Sequence, residues 1–199
     1  MKPSVPSPHR PRPRLFWLGL LLLTTVTAWA LKPTDRFRLR DLESDPALTP
    51  KQFAGLFEHF AYDYSPLVLP PDEFLRDRSG DCDDYAILAD HVLRRKGFKT
   101  RLVRVVLVGT NIGHSVCYVT ENKAYLDYNN RKYFINLARS GDSLRSIATK
   151  VADSLERNWT SATEYTYTYD EGIKHFVTTV VKKDPPDRDA DLPRNRPGT

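Results

Sequence analysis

The chain has 199 residues, of which 28% are charged, 40% hydrophobic and 11% aromatic. That length suits one ordinary domain, and the mix excludes a polytopic membrane protein, a collagen-like repeat and a wholly disordered chain. Two cysteines exclude a disulfide-dense scaffold and a four-cysteine zinc site. The formal net charge of +5 would suit an anionic partner if it were spread over the fold. It is not: residues 1–30 carry Lys2, Arg10, Arg12 and Arg14 and no acid, and without them 26 basic residues face 25 acidic ones. No long basic stripe remains for nucleic acid, so no nucleic-acid partner is expected.

The basic, proline-rich start leads into an apolar run from Leu15, which thins through Thr24–Thr27 into Ala28-Trp29-Ala30. A basic segment, a short apolar stretch and an Ala-x-Ala site together make a secretory signal over residues 1–30 and predict an exported protein, periplasmic or secreted. Leu15 to Leu31 is 17 residues, the lower limit for crossing a bilayer. An uncleaved inner-membrane anchor is therefore the alternative, with the membrane touched only there. Residues 182–199 hold four prolines, mixed charge and one large apolar side chain, Leu192, and are expected to form a flexible tail. The folded domain is then 32–181.

Within it, Thr49-Pro50-Lys51-Gln52 has the signature of a helix start, with Thr at the N-cap, Pro next and Gln three residues on. Phe53, Leu56, Phe57 and Phe60 follow on one helical face. A short helix is expected over Pro71 to Arg76. The strongest helix runs from Asp81 to Lys96, where Tyr85, Ala86, Ala89, Val92 and Leu93 keep helical spacing from Cys82 and Gly97 provides the stop. The pattern then changes to strands at Thr100–Val108, His114–Thr120, Ala124–Tyr128 and Lys132–Leu137. Asp142 to Arg157 returns to a helical face, and Thr163–Tyr169 and Ile173–Val181 read as two closing strands. Helices first, then an antiparallel sheet with one inserted helix, predict an α+β fold with helices packed on the sheet.

Three residues stand out for chemistry. Cys82 falls in the first turn of the strongest helix, where free backbone N–H groups and the positive end of the helix dipole favour a thiolate and can bind an oxyanion. His114 begins a strand after a glycine-bearing turn. If the next strand pairs with it antiparallel through an even-length loop at Glu121-Asn122, Asp127 lies opposite Val116, on the same face as His114 and diagonal to it. Nucleophile, base and orienting carboxylate would then be present. Against the thiolate stand Asp81, Asp83 and Asp84, whose charges disfavour a second anion in that turn. Two readings stay open for them: capping of the helix alone, or oxygen ligands for a divalent cation such as Ca²⁺. Cys117 is three residues beyond His114 and so on the opposite strand face, which predicts a buried free thiol rather than a disulfide with Cys82. His59, His91 and His175 lack metal-like spacing, and the Tyr165, Tyr167, Tyr169 stripe reads as one face of a strand.

The run Ser79-Gly80-Asp81-Cys82-Asp83-Asp84-Tyr85-Ala86, the helix ending Leu93-Arg94-Arg95-Lys96-Gly97-Phe98, Gly113-His114-Ser115-Val116 and Tyr125-Leu126-Asp127 resemble the transglutaminase-like superfamily, and within it the bacterial transglutaminase-like cysteine peptidases. The resemblance spans roughly Pro50 to Leu137 and keeps the order Cys, His, Asp. It implies a papain-like core with the Cys-bearing helix packed on an antiparallel sheet. It implies Cys82 as nucleophile, His114 as general base and acid, and Asp127 as orienter, acting on an amide of a protein or peptide substrate through a thioester. No cofactor is needed for that chemistry. Some periplasmic relatives bind calcium through acids flanking the cysteine, and Asp81 and Asp83 match those positions. The relatives' upstream aromatic residue that helps form the oxyanion hole, commonly Trp, has no Trp counterpart here; among Phe57, Phe60 and Tyr62 only Tyr62 has a proton to donate. Protein-glutamine transglutamination, cell-wall peptide hydrolysis and a non-catalytic binding module on the same fold are the competing readings.

Overall fold

The computed structural model describes residues 38–110, 113–133 and 137–182. The expected export signal, and all of the expected tail but Lys182, lie outside them. Among the described residues no helix is long and apolar enough to cross a membrane.

Three short helices come first: α1 (Leu39–Ser44), α2 (Pro50–Gly55) and α3 (Pro71–Asp77). The α2 start has its capping box: Thr49 accepts from the Gln52 amide, and the Gln52 side chain accepts from the Thr49 amide. The helix stops at Gly55, earlier than the spacing of its phenylalanines suggests. Phe53, Phe57 and Phe60 nevertheless all enter the core, where they stack among Phe74, Tyr85 and Tyr128 with ring centroids 4.8–6.0 Å apart. The aromatic contacts themselves fix this irregular turn.

Two two-residue strands, β1 (Ala61–Tyr62) and β2 (Ser79–Gly80), pair in parallel and place Tyr62 opposite Gly80. The chain then enters α4 (Cys82–Arg95). The remaining strands are β3 (Thr100–Leu107), β4 (Gly113–Val119), β5 (Ala124–Leu126), β6 (Ala138–Arg139), β7 (Trp159–Tyr167) and β8 (Lys174–Val181), with α5 (Leu144–Ser154) inserted before β7. They form one antiparallel sheet in the order β6-β5-β4-β3-β7-β8.

Strand alternation divides the core in two. Leu102, Cys117, Val119, Leu126 and Tyr165 face α4, whereas Val103, Val105, Val116, Tyr118 and Tyr125 face α5. The tyrosine stripe follows the same rule: Tyr165 is buried and Tyr167 and Tyr169 pack on the α4 side. Large buried side chains such as Leu88 and Val92 each stabilise the fold by about 1.5–3 kcal/mol relative to exposure, so α4 is held by its packing as much as by its caps.

One expected strand is corrected. The start of the expected strand Lys132–Leu137 falls in a 3-10 helix over residues 128–133, residues 134–136 lie outside the described residues, and the next described strand is β6. The cause lies upstream. Asp127 Oδ1 accepts from the Asn129 amide at 2.8 Å, an Asx turn that ends β5 at Leu126 and redirects the chain.

Candidate active site

The first turn of α4 is built from carboxylates. Asp81, the N-cap, accepts from the amides of Asp83 and Asp84 at 2.8 and 3.5 Å, and Asp84 accepts in return from the Asp81 amide at 2.8 Å. The same two side chains reach outward to the preceding loop, Asp81 to the Ser65 amide at 3.3 Å and Asp84 to the Leu69 amide at 2.7 Å. Burial pushes the Asp84 carboxyl up to about 6; its backbone hydrogen bonds oppose this, and the charges of Asp81 and Asp83 add to it. The Asp81 carboxyl is raised too, again chiefly by burial.

Cys82 sits at the first helical position, 5% exposed, on a cavity of about 350 Å³. His114, Tyr62, Asn129, Leu107, Gly113, Leu155 and Arg157 are among the residues that also line it. His114 pairs across β3 with Val105, and the β4–β5 register of Cys117 with Leu126 continues to Val116 with Asp127. Both side chains therefore rise on the α5 face, and the ring's Nε2 lies 2.9 Å from Asp127 Oδ1. Cys82 comes from the opposite layer. The two halves meet where the sheet ends, beside Leu107 and Gly113, which is where the cavity opens.

Cys82 lines the same cavity as His114. Burial alone would lower the ring's affinity for a proton, but the Asp127 charge, its hydrogen bond and the Cys82 contact outweigh it and raise His114 well above the ordinary value of 6.5. With Nε2 committed to Asp127, Nδ1 is the nitrogen left for the thiol. A raised folded-state value means that the protonated ring stabilises the fold. That contribution is complete below 6.5 and is lost as pH rises through the higher folded value. Thermal melts of wild type and His114→Gln should therefore differ most at acid to neutral pH and converge as the solution becomes alkaline; a gap independent of pH would contradict the assignment of charge.

Cys117 is a free, fully buried thiol, as expected. It faces α4, the same layer as Cys82, and its neighbours there are Asp90 and Arg94, more than two turns along the helix. Burial, then the Asp90 charge, push its thiol well up. His91 and His175 hydrogen-bond the carboxylates of Glu43 at 2.9 Å and Glu171 at 3.0 Å.

The third acid of the turn behaves differently from the two in the cap. Asp83 turns towards β8, where its Oδ2 accepts from Lys174 Nζ, while its Oδ1 is buried with no hydrogen-bond partner. An ammonium thus stands where a cation shared with Asp83 would sit, and both oxygens of Asp81 are taken by amides. Among the described residues no three His, Cys, Asp or Glu side chains form a group able to hold a metal. The arrangement does not fit a calcium ion held by Asp81 and Asp83.

Sequence reasoning left two neighbours of the site unassigned. Tyr62 is brought to the cavity by the β1–β2 pairing, and burial, followed by the negative charges of Cys82, Asp81 and Asp83, pushes its phenol up to about 12, which keeps it a proton donor. Lys174 lies 91 residues from Asp83, and nothing local in the sequence marks it.

A helix-borne cysteine, a strand-borne histidine and a carboxylate at a sheet end define a thiol-type constellation on a helix-on-sheet α+β fold. Residues 44–135, which contain all three, match the family model of the transglutaminase-like superfamily. A UPF0252 protein of Archaeoglobus fulgidus is 25% identical over 173 residues, covering 80% of this chain and 55% of the relative, so the chain spans little more than half the length of that protein. Among solved structures, Legionella pneumophila LapG is similar over 65% of this chain and 71% of its own, with 16% identity and a TM-score of 0.44. Its calcium-bound form gives 17% identity and a TM-score of 0.40, over 62% of this chain and 68% of that one. The EGTA-treated form gives 16% and 0.41, over 69% and 76%.

Proposed function

We propose that the protein is an exported cysteine peptidase or amide hydrolase. Cys82 attacks the carbonyl carbon of a protein or peptide amide. His114 passes the proton to the leaving amine, and water then releases the acyl group from the thioester. The observation that carries this reading is the 2.9 Å bond from His114 to Asp127 at the cavity lined by Cys82. Such a pairing holds the ring in the tautomer and orientation a base needs.

In this reading Tyr62 is the side-chain donor to the oxyanion, alongside the Cys82 amide, which lies outside the Asp81 cap. A protonated phenol at the nucleophile's cavity speaks against a non-catalytic module, which the lack of an upstream Trp had favoured. Export rests on the signal-like residues 1–30. Transglutamination uses the same three residues and differs only in an amine replacing water.

The test is alkylation by iodoacetamide followed by peptide mapping. Cys82 of the wild type should label rapidly and Cys117 hardly at all, and His114→Ala should slow labelling at Cys82. Labelling indifferent to His114 would remove the catalytic pair. Tyr62→Phe should leave alkylation near the wild-type rate, because no oxyanion forms there, yet lower turnover of a peptide amide by roughly 10²–10³. Product analysis with an added primary amine separates hydrolysis from acyl transfer to the amine.

A further inference from the structure

We propose that Lys174 is a built-in counter-cation of the acidic turn. Its ammonium, delivered from β8, stands beside Asp83 in place of an external divalent ion and keeps the Cys82 site competent without metal. The proposal rests on Cys82 being the reactive thiol and adds how its surroundings are neutralised.

Three observations converge on this residue. Asp81, Asp83 and Asp84 lie within four positions of chain around Cys82. Two of them are turned into the capping box and the loop amides, where backbone dipoles compensate them. Asp83 alone has a buried oxygen with no partner, and its other oxygen is held by Lys174. Lys174 is itself fixed in place. Its side chain is 25% exposed, and its ammonium lies 5.9 Å from the centre of the Tyr165 ring, an attractive cation–π position. Tyr165 is buried and donates to Ser115 Oγ at 3.2 Å, on the strand that carries His114. The pair therefore ties the outermost strand to the turn that carries the nucleophile. Without the ammonium, a partly buried carboxylate one residue from the thiol would be uncompensated and oppose a second negative charge in that turn.

The test is a double-mutant cycle on the full chain. Iodoacetamide labelling of Cys82 is timed for wild type, Lys174→Met, Asp83→Asn and the double variant, each in excess calcium chloride and in EGTA, with melting temperatures recorded alongside. The wild-type rate should be the same in both solutions. Lys174→Met should label several-fold more slowly in EGTA, and adding Asp83→Asn should restore most of the lost rate and melting temperature, because the stranded charge is gone. A wild-type rate that depends on calcium overturns the proposal. So does a Lys174→Met rate equal to wild type, or a double variant as impaired as Lys174→Met, which would show that the lysine only packs against Tyr165. If labelling proves indifferent to His114, the catalytic reading fails separately, and the coupling of Lys174 to Asp83 is still decided by the melting temperatures of the cycle.

Discussion

Asp127→Ala should lower amide hydrolysis by roughly 10²–10⁴. The carboxylate accepts from His114 Nε2 at 2.9 Å and from the Asn129 amide at 2.8 Å, so it both holds the ring and starts the turn that leaves β5. Its charge and its hydrogen bond are the leading influences opposing the effect of burial on His114. Once it is removed, burial is opposed only by the Cys82 contact, and the ring holds its proton less readily. The thiol then loses the imidazolium that favours its anion. Because an unassisted thiol is only a few per cent thiolate at pH 7, Cys82 alkylation should fall on the order of tenfold or more. Asp127→Asn should fall between the two, since an amide oxygen still accepts from Nε2–H but brings no charge. Initial rates of alkylation and of peptide-amide cleavage check both statements, and an alanine variant that alkylates at the wild-type rate would show that Asp127 does not govern the pair.

Gly80→Ala should be the most damaging small substitution near the site. A Cβ there would lie 2.6 Å from Asp84 Oδ2 and 2.6 and 2.8 Å from two atoms of the Phe74 ring. Neither neighbour is free to yield: Phe74 is locked among Phe57, Phe60 and Tyr128, and Asp84 is held by two backbone amides. Overpacking of this kind costs about 1–3 kcal/mol. Displacing the cap would add about 1 kcal/mol. Each kcal/mol is about 2–4 °C in a domain of this size, so the melting temperature should drop by roughly 5–10 °C. Because Gly80 precedes the cap of α4, Cys82 labelling should slow as well. A stable variant with normal labelling would mean that the turn has room to relax.

Much of the site was legible because it is local. The Asp81–Asp84 capping box, the position of Cys82 at the start of α4 and the α+β order all follow from short-range spacing and periodicity. The β4–β5 register, whose last pair is Cys117 with Leu126, the residue before Asp127, followed from the even number of residues between the two strands. What could not be read has a common physical cause. The β1–β2 ladder is two residues long, too short for any periodicity, and is made by backbone bonds such as Asp63 N to Gly80 O at 2.9 Å. Tyr62 owes its place to that ladder. Lys174 meets Asp83 through the sheet's connectivity alone. The start of the strand expected from Lys132 falls instead in a 3-10 helix, after a side chain, Asp127, acts on the backbone two residues away.

The separation of the two thiols bears on how the chain matures. Cys82 is the first residue of α4, and Cys117 feels the charges of Asp90 and Arg94 in its second half. Eight residues of helix, from Cys82 to Asp90, are about 12 Å long. In the folded protein both thiols are free and buried. The unfolded chain has no such protection, and closing a loop of roughly 35 residues between the two cysteines costs it little. The order of events decides the outcome: α4 must dock on the sheet before an oxidant arrives, and a chain oxidised first is trapped with its nucleophile tied to a residue that belongs in the core.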